Sequence, residues 1–188
     1  MTEETPAWPG LTKTILIALL LAIGLATIIV LGILPFFTRP VTTVILVRHA
    51  EKIIDPNNND VDISAAGQAR AQELIRVLGD AGLNAIYATQ YKRTQETARP
   101  LADKLGLPVV QVNSKNTADL LAQIRTQHRG QIVLVVGHNN TVPEIIKALG
   151  GPDYPPIPET EFDNMYIVTV YRTGKAKVVK LKYGTPNP

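Results

Sequence analysis

"VILVRHAEKI", residues 44–53, begins as an apolar run and breaks into a guanidinium, an imidazole, a carboxylate and an ammonium. With Val41 to Thr43 in front of it, "VTTVILV" reads as a buried strand. Such a strand either surfaces into solvent or delivers Arg48, His49 and Glu51 to the rim of a sheet, and the rest of the chain separates the two readings. "ISAAGQARAQELIRVLGDAG" (63–82) is predicted helical, capped by Ser64 and stopped at Gly79 or Gly82. Its apolar residues Ala71, Leu74, Ile75 and Leu78 share one helical face. Short strands are predicted at 85–89 and 108–112 and helices at 92–106, 117–128 and 142–151, with Pro100 expected to kink or restart the second of these helices. "QIVLVVG" (131–137) is apolar almost throughout, as expected of a strand covered on both faces. "MYIVTVYR" and "KAKVVKLKY" read as a closing hairpin turned at Thr173-Gly174. The alternation predicts an α/β fold, a three-layer α/β/α sandwich with a mainly parallel central sheet.

Ahead of this domain, Ile15 to Phe37 carries no charge over 23 positions. About 20 such residues cross a bilayer core. A cleaved signal peptide would have a shorter apolar region and a small-residue cleavage site, where this chain has Pro35-Phe36-Phe37-Thr38-Arg39. The expected organisation is an N-terminal tail (1–14), a transmembrane helix (15–37) and one domain (41–188). Lys13 and Arg39 flank the span almost symmetrically. The expectation is a tail held inside and a domain exported, a single-pass membrane protein with an extracytoplasmic domain.

Composition narrows the function. The chain has 188 residues, no cysteine, a formal charge of +3 and 5% aromatic residues. Thiolate metal sites, disulfides and cysteine nucleophiles are excluded. The basic residues are scattered rather than arrayed with aromatics, which argues against a nucleic-acid partner.

In a sheet of this kind ligands gather outside the carboxyl ends of the strands. Three polar groups fall there: Arg48-His49-Ala50-Glu51, "TQYKRT" (89–94), and Gly137-His138-Asn139-Asn140. Arg48, Arg93, His49 and His138 would then converge beside helix N-termini, an arrangement suited to an anion, with Asn139 as a further substrate contact. Arg93, at the unfavourable end of its helix dipole, is better explained with an anion present. A metal held by His49, Glu51 and His138 is disfavoured by the arginines beside them, and no metal or other cofactor is expected. His128, near a helix C-terminus, is given no role.

"LVRHAEK" (46–52), "TQYKRTQETA" (89–98) and "VVGHNNTVP" (135–143) together resemble the histidine phosphatase superfamily, in its phosphoglycerate mutase-like branch. The resemblance implies a phosphoglycerate mutase-like fold and an attack on phosphorus by His49, giving a phosphohistidine that water hydrolyses. Arg48, Arg93 and His138 would hold the phosphoryl oxygens. The family's general acid has no matching motif, so Glu51 and Glu144 are the candidates for it, each also readable as an ordinary surface or helix-start carboxylate. Asn57 to Asn59 lie in an Asn/Asp-rich stretch that reads as a surface turn. The expected function is a membrane-anchored phosphatase acting on a phosphorylated small molecule or phosphoprotein. The alternatives are a phosphomutase of the same family and a catalytically silent phosphate-binding module.

Overall fold

The computed structural model describes residues 9–34 and 40–187, in two units, Met1–Arg39 and Pro40–Pro188. In the first, helix α1 (Pro9–Ile28) continues into a π-helical stretch, Ile29–Ile33. Proline suits a first helical position, where no N–H is required. The helix therefore starts inside the stretch expected as tail. Thr12–Ile33 spans 22 residues with mean hydropathy 3.0 and none of it buried, long and apolar enough to cross a membrane. The expected tail residues 1–8, and the end of the expected span with Pro35 and Arg39, lie outside the described residues.

The second unit contains, in order, β1 (Pro40–Arg48), α2 (Ala65–Leu78), β2 (Ala85–Thr89), α3 (Lys92–Leu105), β3 (Val109–Val112), α4 (Thr117–Gln127), β4 (Ile132–Gly137), α5 (Thr141–Ala148), β5 (Asn164–Tyr171) and β6 (Ala176–Lys182). One six-stranded sheet has the order β3-β2-β4-β1-β5-β6. The first four strands are parallel, and the β5–β6 hairpin adds an antiparallel edge, so the sheet is mixed.

The period-two alternation of strand side chains builds the three layers. Val44, Leu46, Tyr87, Val133 and Val135 face Leu120, Leu121 and Ile124 of α4 and Val142, Ile145 and Ile146 of α5. Ile45, Val47, Ile86, Leu134 and Val136 face Leu74 and Leu78 of α2 and Ala98, Leu101 and Ala102 of α3. This two-sided burial is why β1 and β4 read as unbroken apolar runs. Ser64 caps α2 as expected, its Oγ accepting the Gly67 N–H at 3.2 Å.

Pro100 neither breaks nor restarts α3, which runs through it. Thr97, Ala98, Leu101 and Ala102 are buried on both sides of the proline, and that packing holds the helix despite the lost hydrogen bond.

From β1 the chain moves outward to β2 and β3, then returns as β4 between β2 and β1. The reversal opens a crevice beyond the carboxyl ends of β1, β4 and β2. The parallel register pairs Arg48 with Gly137 and Ala88 with Val136. His49 and His138 thus leave the sheet at one level, and Thr89, the last residue of β2, stands one residue below them.

Candidate active site

A pocket of about 360 Å³ opens there, and Arg48, His49, Arg93, His138 and Asn139 all line it. Glu51 and Glu144 do not.

The His49 backbone N–H donates to the Gly137 carbonyl at 2.9 Å, extending the β1–β4 ladder one step past the strand end. That step sets the imidazoles of His49 and His138 edge to face, with centroids 5.5 Å apart. His49 Nδ1 lies 2.8 Å from the Ala50 carbonyl oxygen. A carbonyl only accepts, so Nδ1 carries the proton and Nε2 keeps its lone pair. Thr97 fixes the next peptide. Its Oγ1 accepts the Ala50 N–H at 2.9 Å and donates to the Arg93 carbonyl at 2.6 Å. Arg93 and Thr97, four residues apart on α3, therefore act on the two ends of one site.

The polarity of a second chain of hydrogen bonds fixes His138. Thr94 Oγ1 donates to the carbonyls of Thr89 or Tyr91 and lies 2.8 Å from Thr89 Oγ1, which lies 2.9 Å from His138 Nε2. With Thr94's proton committed to a carbonyl, Thr89 donates to Thr94 and accepts from His138. Nε2 of His138 thus holds the proton, and Nδ1 is its free nitrogen. Gly137 permits this geometry, because a Cβ there would lie 2.8 Å from Thr141 Oγ1, the acceptor of the His138 N–H.

Arg48 is 2% exposed. Its Nη1 donates to the carbonyls of Pro158, Glu159 and Glu161 at 2.8, 2.9 and 3.2 Å, and Nη2 meets Glu159 Oε2 at 2.5 Å. The guanidinium also stacks 4.3 Å over Phe162. Arg93 donates to the Asn59 carbonyl at 2.8 Å and lies 4.3 Å over the Tyr91 ring. The Asn/Asp-rich loop is thus more than a surface turn: Asn59 holds Arg93, and Asp60 Oδ1 accepts the Lys92 N–H at the start of α3. In both arginines the buried Nε has no hydrogen-bond partner. Orphaned buried donors of this kind are uncommon and call for a ligand.

Burial pushes the His49 imidazole down to about 3, helped by the positive charges of Arg48, His138 and Arg93. Burial, Arg93, Arg48 and Lys52 push His138 down to about 4. Both arginines are lowered from their usual value, mainly by burial. At neutral pH the pocket therefore holds two neutral imidazoles between two buried cations. The linkage has a definite sign. Unfolded histidine titrates near 6.5, so as pH falls from there toward 4 the unfolded chain takes up protons that the folded one does not, and stability is lost. The Tm of the wild-type chain is expected to fall more steeply between pH 7 and 4.5 than that of His49→Asn or His138→Asn. Parallel Tm curves would contradict these depressed values.

The position of Glu51 corrects the sequence reading. Its carboxylate takes Arg70 Nε at 3.1 and 3.0 Å and Nη2 at 2.6 Å. Arg70, itself buried, also donates to the carbonyls of Tyr183 and Thr185 at 3.0 Å. By Glu51 the chain has left the sheet: the Glu51 carbonyl accepts the Ser64 N–H at 2.8 Å and Lys52 bridges Ile63, which turns the side chain toward α2. Glu144 stands exposed on the first turn of α5, a position favoured for any acid.

Sequence reasoning missed Glu159, Tyr91 and Phe162. Tyr91 lay within the quoted "TQYKRT", but an aromatic before a helix carries no signal of its own. Glu159 sits in a Pro-rich connection 111 residues from Arg48, where no periodicity marks it. Among the described residues, no group of three or more His, Asp or Glu side chains is placed to hold a metal ion.

Comparison with known proteins places similar sequence and fold beside this site. The sequence model of the histidine phosphatase superfamily, branch 1, matches residues 44–114. That stretch contains Arg48, His49 and Arg93 and ends before His138, which the β1–β4 register brings in. Among solved structures, the chain is similar to the protein histidine phosphatase SixA complexed with tungstate (18% identity, TM-score 0.59, covering 74% of this chain and 96% of that one). It is also similar to the α-ribazole phosphatase from Shigella flexneri (16%, 0.58, 77% and 100%). A third similar structure is the mycobacterial glucosyl-3-phosphoglycerate phosphatase (13%, 0.58, 78% and 100%). At these identities the likeness is one of fold, and it spans nearly the full length of each of these phosphatases. No curated protein matches the sequence. The resemblance to the histidine phosphatase superfamily thus holds in motif and in architecture.

Proposed function

We propose that this chain is a phosphatase that hydrolyses a phosphomonoester or a phosphorylated side chain through a phosphohistidine on Nε2 of His49, held to a membrane by its N-terminal helix with the domain on the extracytoplasmic side. The observation that carries the reading is the pair of buried guanidiniums, Arg48 and Arg93, each with an unpartnered Nε, flanking a neutral imidazole whose Nε2 is free to attack. Among the described residues Arg48 forms an ion pair only with the exposed carboxylate of Glu159, and an anion between the two guanidiniums would offset the cost of burying both charges. A phosphoryl group fits that arrangement, since guanidinium forks match its oxygens.

In the first step Nε2 of His49 bonds to phosphorus as the bond to the leaving oxygen breaks. Arg48, Arg93, Asn139 and His138 would hold the phosphoryl oxygens as their charge redistributes. In the second step water attacks phosphorus and the P–N bond breaks, restoring His49. The open Nε2 favours turnover over simple phosphate binding. The phosphatases similar in fold are named for different phosphorylated compounds, so the common element of the reading is the phosphoryl group.

The purified chain in detergent is expected to hydrolyse 4-nitrophenyl phosphate, with tungstate as a competitive inhibitor. Intact cells expressing the chain are expected to hydrolyse it without lysis. Absence of hydrolysis by the purified chain would refute the enzymatic reading, and activity released only by lysis would refute the extracytoplasmic placement.

A further inference from the structure

Glu159 is the one acidic residue among the described residues lining the pocket. Its Oε2 is paired with Arg48 Nη2 at 2.5 Å and its Oε1 accepts from Asn139 Nδ2 at 2.7 Å. A carboxylate thus occupies the donors that a phosphoryl group would use. The side chain is nevertheless 73% exposed, so it is tied by those two contacts and not by packing. The charged and titratable groups around it are Arg48 from β1, Arg93 from α3, His49 and Lys52 from the β1–α2 connection, Tyr91 just before α3, Lys115 from the β3–α4 connection and His138 after β4. Apart from the Tyr91 phenol, these groups are all basic.

Resting on the phosphatase reading above, we propose that Glu159 is the proton donor of the reaction, armed by the substrate itself. A phosphoryl dianion arriving at Arg48 and Asn139 displaces the carboxylate. Glu159 then loses its cationic partner and stands beside the phosphoryl group, where its carboxyl can deliver a proton. The displaced side chain stays at the pocket mouth, because the carbonyls of Pro158, Glu159 and Glu161 remain bound to Arg48 Nη1. As the His49 Nε2–P bond forms and the P–O bond breaks, the Glu159 proton passes to the leaving oxygen. In the second step the Glu159 carboxylate takes a proton from the attacking water as the O–P bond forms and the P–N bond breaks. The carboxyl is regenerated and the proton count closes.

This assignment carries a signature that a structural role would not give, because the same residue competes with the anion and serves the chemistry. Glu159→Gln is expected to bind tungstate several-fold more tightly than the wild-type chain. The same variant is expected to lose about a hundredfold in kcat/KM with phenyl phosphate, whose leaving group needs a proton, and under about fivefold with 4-nitrophenyl phosphate. Glu159→Asp should recover part of the phenyl phosphate rate. Equal losses on the two esters, or tungstate binding that is unchanged or weaker in Glu159→Gln, would overturn the role of Glu159 while the phosphatase reading stands. A wild-type chain that hydrolyses neither ester would overturn both.

Discussion

Replacing His49 with alanine is expected to lower kcat/KM for 4-nitrophenyl phosphate by roughly a thousandfold or more, the scale on which enzymes lose activity with their nucleophile. Tautomer and protonation state make this ring the nucleophile. The Ala50 carbonyl holds the proton on Nδ1, and burial with two arginines nearby holds the ring neutral, so Nε2 is a lone pair at neutral pH. No neighbouring group can replace it, because the free nitrogen of His138 belongs to a ring fixed to Thr89. Tungstate binding should persist in His49→Ala, since Arg48 and Arg93 are untouched, and a tungstate titration of the inactive variant checks this. Loss of binding together with activity would mean that the substitution had collapsed the site.

Arg48→Lys is expected to cost about a hundredfold in kcat/KM and to lower the Tm as well. Arg48 anchors residues 158–161 and is proposed to hold the anion as well, through donors arranged in one rigid plane. A lysine ammonium keeps the charge but has three donors on a flexible stem and cannot serve three carbonyls and an anion together. Each lost hydrogen bond to a charged donor is worth about 1.5–3 kcal/mol. One such loss alone shifts the Tm of a domain this size by roughly 3–12 °C. Melting curves beside steady-state rates separate the two effects. An unchanged Tm would mean that the 158–161 segment is held without Arg48.

Much of this was legible in the sequence because periodicity and chain order carry it. The unbroken apolar runs of β1 and β4 marked strands covered on both faces, and the rule that ligands meet at the carboxyl ends of parallel strands placed Arg48, His49, Arg93 and His138 together before any contact was known. What escaped was set by partners distant in sequence. Glu51 follows His49 closely but is drawn off by Arg70, whose own position depends on the C-terminal carbonyls of Tyr183 and Thr185. Glu159 enters the pocket from an irregular connection in which no spacing rule operates. Pro100 argued locally for a break in α3, and burial of the turns around it overrode the local preference. The antiparallel β5–β6 edge was visible as a hairpin, but its place beside β1 is a matter of topology.

Turnover by the proposed route requires that His49 become covalently phosphorylated. Rapid quench of the wild-type chain with a phosphorus-labelled aryl phosphate tests it directly. A protein-bound label is expected that is labile in acid, stable in alkali and absent from His49→Ala. Hydrolysis at the full wild-type rate in His49→Ala, or a turnover burst with no such adduct, would contradict it.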